Sequence, residues 1–201
     1  AITGVTTIAA HSGNNITLTN TSNNFQAAVR ITSGNNVTLV DAGAIDLGAS
    51  TVSGTYAVTA TAGGDITDSG VLAITGTSTF TVADGQSVIL DESSTFSTVT
   101  FASAGTIASV EINDSNALDL GTLTTTGNLT VTAGGNITDS GTVSVGGALA
   151  VTTDANSGSI DLGTLAVDGT MALVTHNNGA ATVVNDAGLN FATSTVGGAL
   201  S

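Results

Sequence analysis

The chain has no cysteine, no proline, no tryptophan and one basic residue, Arg30, in 201 residues. The missing cysteine excludes a disulfide framework and a Cys-ligated zinc site. With no proline, the breaks between apolar runs are made by Gly, Asn, Asp and Ser. The lone Arg30 argues against nucleic acid, because phosphate neutralisation needs clustered Lys and Arg. It argues equally against binding an anionic membrane surface, and it leaves trypsin-like proteases almost nothing to cut. Aromatic residues are 3 % of the chain, so any core is narrow and aliphatic. No apolar run approaches the ~18 residues of a membrane span. The start, Ala1-Ile2-Thr3-Gly4, lacks the charged segment of a signal peptide. The expectation is therefore a processed chain or a piece of a longer one.

What is present is acidic and polar without being highly charged. Fifteen Asp and Glu give a formal charge of -14, yet charged residues are only 8 % of the chain, against about 25 % in ordinary soluble domains. Thr, Ser, Asn and Gly must supply the polar surface. A hydrophobic content of 41 %, regularly spaced, is enough to bury a core and excludes a disordered chain. A Cys-free, Lys-poor, Thr/Asn/Gly-rich composition is, by association, that expected of an exported bacterial surface protein.

The local pattern is uniform. Alternating runs such as Ile16-Thr17-Leu18-Thr19, Val37-Thr38-Leu39-Val40, Tyr56-Ala57-Val58-Thr59 and Leu129-Thr130-Val131-Thr132 are separated by turn-forming residues. Alternation with β-branched residues predicts strands with one buried face. No stretch carries helical spacing, and frequent Gly disfavours helix further.

Above this pattern lies an internal repeat. Ala44-Ile45-Asp46-Leu47-Gly48 returns as Ala117-Leu118-Asp119-Leu120-Gly121, which carries Asp46 onto Asp119. Gly63-Gly64-Asp65-Ile66-Thr67-Asp68-Ser69-Gly70 returns as Gly134-Gly135-Asn136-Ile137-Thr138-Asp139-Ser140-Gly141, at nearly the same offset, carrying Asp68 onto Asp139. A sandwich or barrel has no need of such a return, whereas a solenoid does. Strand starts mostly recur roughly every 20 residues, a repeat length that suits three short strands and three turns. The predicted fold is all-β: a parallel β-helix of about three strands per coil and roughly eight or nine coils, with little or no helix. At about 4.8 Å per coil this gives a rod on the order of 40 Å long. Residues 1–201 form one repeat array, with super-repeats at 5–77, 78–150 and an irregular, partial 151–201. Inward Val, Ile, Leu and Ala would stack between coils, and the few Phe would fill corners.

The phrases Ala-Leu-Asp-Leu-Gly, Gly-Asn-Leu-Thr-Val-Thr-Ala-Gly-Gly-Asn-Ile-Thr-Asp-Ser-Gly and Ser-Gly-Asn-Asn-Val-Thr-Leu resemble repeats of filamentous-haemagglutinin-like bacterial surface proteins. The resemblance runs through essentially the whole chain and is closest from Gly34 to Val151. It implies a right-handed parallel β-helix, secreted through an outer-membrane transporter and used in adhesion or as a stalk.

The candidate site is a series of carboxylates: Asp46, Asp68, Asp91, Asp119, Asp139 and Asp161, at gaps of 22, 23, 28, 20 and 22. Stacked about 4.8 Å apart, they would repel unless a cation, solvent or donor groups compensate. Two readings fit. One is a Ca²⁺-binding edge, since Ca²⁺ takes carboxylate and carbonyl oxygens. The other is turn chemistry, in which Asp accepts a backbone N–H and a following Gly takes positive φ. Five of the six have Gly two positions on (Gly48, Gly70, Gly121, Gly141, Gly163), which favours turns. The Gly-Gly-x-Gly-x-Asp calcium signature is missing.

Thr-x-Thr pairs such as Thr17/Thr19, Thr79/Thr81 and Thr130/Thr132 raise the idea of an ice-binding grid. Unequal strand gaps argue against it, and outward Thr is ordinary on strands. Catalysis has little support. His11 and His176 are far apart in sequence and no Ser/His/Asp or Cys/His set is visible. Acid pairs such as Asp154/Asp161 or Glu111/Asp114 fit a glycosidase, but the aromatic and basic groups that hold sugars are scarce. Both ends read as ordinary repeat, without caps. The expectation is thus a non-enzymatic stalk, adhesin or filament subunit of an extracellular bacterial surface protein, with no cofactor, Ca²⁺ at the Asp series being the one candidate weighed. Its partners would be neighbouring repeats or identical subunits meeting at open ends, and host or cell-surface glycans or proteins. A Ca²⁺-dependent assembly module and a carbohydrate-acting β-helix are the alternatives.

Overall fold

A computed structural model of the chain describes residues 1–154 and 156–201. Every regular element among them is a strand, 22 in number, and none is a helix. The alternation seen in the sequence becomes alternation of burial. In Val37–Asp41 and Leu129–Ala133 every second residue is buried and those between are half-exposed. Successive side chains on a strand point to opposite faces, so each run of this kind offers one apolar row. The strands pair in parallel with their counterparts one coil away, which makes the fold a parallel β-solenoid of about nine turns with about three strands per coil. Parallel strands need a crossover, and the other two sides of each coil provide it.

The chain divides into two compact units, Ala1–Ile107 and Ala108–Ser201. In the first, one side is the run Ile16–Leu18, Val37–Asp41, Tyr56–Ala60, Thr77–Val82 and Thr98–Ser103. Its register places Leu39, Val58, Phe80 and Phe101 in a single inward column. In the second unit, Leu129 stacks on Leu149 and Met171, and Val131 on Val151 and Leu173. A second side aligns Leu118, Ile137, Ile160 and Ala181. A third aligns Leu123, Val143 and Leu165. All of these residues are buried, and each large aliphatic contributes roughly 1.5–3 kcal/mol of transfer free energy.

Two expectations are corrected. The aromatics do not all fill corners. Phe80 sits in mid-strand, in register with Val58 and Phe101, and is wholly buried, because a ring stacked between coils packs as well as a Leu would. Phe191, by contrast, is 41 % exposed. Unequal strand gaps do not break the register of the Thr rows either. Thr17, Thr38, Ala57, Thr79 and Thr100 are successive partners, because extra residues are taken up at the corners. It is Ala and Val within the rows, not slipped register, that interrupt the grid.

Candidate functional site at the acidic corners

The six candidate carboxylates do not form one stacked row. Ile45 pairs with Ile66, so Asp46 faces Thr67 and Leu47 faces Asp68. Ile66 pairs in turn with Val88, which places Asp91 one step beyond the position opposite Asp68. In the second unit Asp119 pairs with Thr138 and Thr138 with Asp161, while Asp139 lies in the neighbouring row opposite Leu120. Within these rows Asp46, Asp119 and Asp161 meet Thr on an adjoining coil, and Asp68 and Asp139 meet Leu. Asp46, Asp119, Asp139 and Asp161 are therefore not stacked on one another, which reduces the repulsion a cation would relieve, whereas the Asp91 charge on the next coil does act on Asp68.

The carboxylates act between coils. Asp46 Oδ2 accepts from Ser69 Oγ at 2.9 Å. Asp119 accepts from Thr138 Oγ1 at 2.9 Å and from Ser140 Oγ at 2.6 Å. Asp139 accepts the backbone N–H groups of Gly163 and Thr164 and the Thr164 hydroxyl, each at 2.8 Å. Asp68 Oδ1 accepts from the N–H of Asp91 at 3.0 Å and of Glu92 at 3.4 Å. Every one of these donors lies 19 to 25 residues downstream, on the next coil. Among the described residues no such bond is present for Asp161, whose side chain is exposed. Hydrogen bonds to a charged acceptor are the stronger kind, so these residues clamp one corner to the next.

The glycines paired with them are not there for left-handed backbone. Positive φ among glycines occurs at Gly63 and Gly85, not at Gly48, Gly70, Gly121, Gly141 or Gly163. At Gly70 and Gly141 the reason is close approach. A Cβ there would lie 2.4 Å from Ala49 N and 2.5 Å from Thr122 N, on the preceding coil. Gly48 leaves room for the Arg30 stem, and Gly163 lies within the strand Ile160–Val167. The local Asx turns are elsewhere: Asp41 to Gly43, Asp114 to Asn116, Asp154 to Asn156.

A second set of clamps escaped the sequence reading. The polar residue just before a strand accepts the backbone N–H of its counterpart on the next coil. Asn36 accepts from Thr55, Asp65 from Ser87, Asn128 from Ala148 and Asn136 from Ser159, at 2.7–2.9 Å. The signal was an Asn or Asp directly ahead of Val37, Ile66, Leu129 and Ile137. Buried Ser50 and Ser94 do similar work inside, accepting from Ile31 N and Leu72 N.

Titration separates two of the acids. Asp84 is fully exposed, and hydrogen bonds from the Thr106 N–H and hydroxyl hold its pKa below the usual value. Asp68 is 8 % exposed, and burial, opposed by the Glu92 N–H, raises its pKa to about 7. Two of the acids weighed as glycosidase pairs have other surroundings. Asp154 is engaged with Asn156, and Asp114 is buried. His176 Nδ1 is 2.7 Å from Thr153 O, beside the turn at Asn177. A shallow groove of about 390 Å³ is lined by Asn24, Gln26, Asp46 and Thr67 among others, and holds one carboxylate. Among the described residues no three His, Asp or Glu side chains are grouped closely enough to hold a metal ion.

The sequence matches the model of a family described as repeats of unknown function (DUF5649) over residues 1–32, 34–103 and 107–176. The chain belongs to that family. The second and third matched segments start at 34 and 107, the same offset that separates Asp46 from Asp119 in the repeated phrase. No curated protein and no solved structure is significantly similar to the chain.

Proposed function

We propose that this DUF5649 chain is a non-enzymatic structural or adhesive part of an extracellular bacterial surface protein or fibre, of the filamentous-haemagglutinin-like kind its repeats resemble. One observation carries the reading. The polar side chains that would make a site are spent on holding coil to coil, as in the Asp139 clamp on Gly163 and Thr164. A chain built this way supplies length and an exposed lattice of Thr and Ser. It needs neither cofactor nor catalytic group. In this role its partners are neighbouring repeats or identical subunits meeting at solenoid ends, and surface glycans or proteins on the target side.

Negative-stain microscopy of the purified protein tests the assembly part. Filaments support stacking, and only separate particles at high concentration rule it out under those conditions. Incubation with a panel of neutral and acidic polysaccharides tests the enzymatic alternative, since release of reducing ends would overturn the non-enzymatic reading.

A further inference from the structure

One face of the first unit carries polar side chains that no coil-to-coil clamp uses. It is the outer surface of the strands Ile16–Leu18, Val37–Asp41, Tyr56–Ala60, Thr77–Val82 and Thr98–Ser103. One outward row is Thr17, Thr38, Ala57, Thr79 and Thr100, and the next is Val40, Thr59, Thr81 and Ala102. Thr77 and Thr98 pair in a third row beside them. All of these residues are exposed or half-exposed. The hydroxyls of Thr17, Thr38, Thr59, Thr79, Thr81 and Thr100 have no hydrogen-bond partner among the described residues. Corner threonines such as Thr138 and Thr164, by contrast, donate to carboxylates.

Three properties of this face go together. It is uncharged: no outward position on the five strands is acidic or basic, although the chain carries 15 acids. Its register is unbroken, whereas the pairings of Thr6–Ala9 with Val29–Ser33 and of Ile160–Val167 with Ala181–Asn185 each contain a shift. Ladders of like side chains in register favour a flat sheet. Its groups are also rigid. Thr is branched at Cβ and stiff at χ1, so each hydroxyl and methyl is held in place by the backbone ladder. The result is a net with repeats of about 4.8 Å between coils and about 6.6 Å between rows. Ala57, Ala102 and Val40 add methyl groups without adding charge or height.

We propose that this face binds ice. Ice presents water oxygens on a net with comparable repeats in two directions. The hydroxyls would hold waters of that net by hydrogen bonds, and the methyl groups between them would seat against its open spaces. Each contact is weak, and a bound water costs up to about 2 kcal/mol of immobilisation. Many contacts on a rigid array, facing water already ordered by the crystal, avoid most of that cost. The inference goes beyond the structural and adhesive reading above and does not rest on it.

The test is freezing-point hysteresis and inhibition of ice recrystallisation by the intact purified chain. The wild type should arrest growth, shape the crystals into facets and keep small crystals small. Thr79→Lys places a charge at the centre of the face and should abolish both effects. Thr59→Tyr keeps a residue favoured in strands but raises a ring above the face, and should do the same even if Thr79→Lys fails to fold. Thr124→Lys, exposed on a strand of the second unit, should leave both effects intact. Urea midpoints show which variants are folded. A folded wild type with neither effect would overturn the proposal, as would full activity in Thr59→Tyr or equal loss in Thr124→Lys. A dimer in solution that Thr59→Tyr dissolves would also overturn it, since the face would then be covered by a second copy.

Discussion

Two stretches of the same architecture solve core packing differently. Between Tyr56 and Phe101 the interior is built around a ring cluster. Phe80 meets Tyr56 edge-on at 6.2 Å and Phe96 edge-on at 6.1 Å, and stacks on Phe101 at 6.1 Å. Between Leu118 and Val183 the inward columns are Leu, Ile, Val, Met and Ala, each stacked on its like. The aromatic stretch also includes the longest strand among the described residues, Gln86–Ser94. Coil length does not separate the two: the register steps by 19, 22 and 21 residues from Leu39 to Phe101, and by 19, 23 and 21 from Leu118 to Ala181. Coils of similar length are thus filled to close packing either by a few large rigid rings or by stacked branched aliphatics. The character of the core is set by which side chains share an inward column and not by the length of the coil.

The sharpest way to break this comparison is to remove the ring at its centre. Phe80→Ala should cost about 3–5 kcal/mol, since it empties the cluster and strands three aromatic neighbours. Leu149→Ala in the aliphatic stack should fall at the lower end of about 2–5 kcal/mol, because Leu129 and Met171 are flexible enough to close on the gap. Urea unfolding of both variants measures the difference, and equal costs would mean that the ring cluster has no special standing.

A smaller effect separates two acids that the sequence treats alike. Asp139→Ala should destabilise by about 1–3 kcal/mol, because it orphans the N–H groups of Gly163 and Thr164. Asp161→Ala should stay within about 0.5 kcal/mol, as expected for an exposed side chain without a partner. Comparable losses in both would return the acids to a single equivalent column.

That pair also marks how far the sequence could be read. Strand positions, parallel coils and the long internal period were legible, because burial must follow the alternation in runs such as Val37–Asp41, and a repeated phrase requires a repeated environment. The row occupied by each Asp was not, because counting from Asp to Asp hides a one-residue offset. Asp46 is the second residue of Ile-Asp-Leu, and Asp68 is the third of Ile-Thr-Asp. Alignment on Ile45, Ile66 and Val88 instead would have shown it. A slip of one residue on a strand moves a side chain to the other face, which is why Asp46 is half-exposed and Asp68 is buried. The roles of Gly70 and Gly141 were hidden for another reason. Close approach to Ala49 and Thr122 on the neighbouring coil exists only once the coils are stacked.

The smallest effect lies back in the ring cluster. The Tyr56 hydroxyl is wholly buried beside Ser50, lacks a partner at hydrogen-bond geometry, and has its pKa pushed up by burial. Tyr56→Phe should be neutral or stabilising by up to about 1 kcal/mol, read as a shift in the urea midpoint. A clear loss would mean that the hydroxyl is satisfied in solution and that this stretch depends on polar as well as ring contacts.

Underlying both stretches is the claim that corner carboxylates hold coil to coil by accepting protein donors and are not waiting for a metal. Thermal unfolding of the purified chain at pH 7, in millimolar Ca²⁺ and again in chelator, tests that claim most directly. A cation that bound the folded acids would raise the midpoint by mass action. Superimposable curves are the predicted result, and a midpoint that climbs with Ca²⁺ concentration would contradict it.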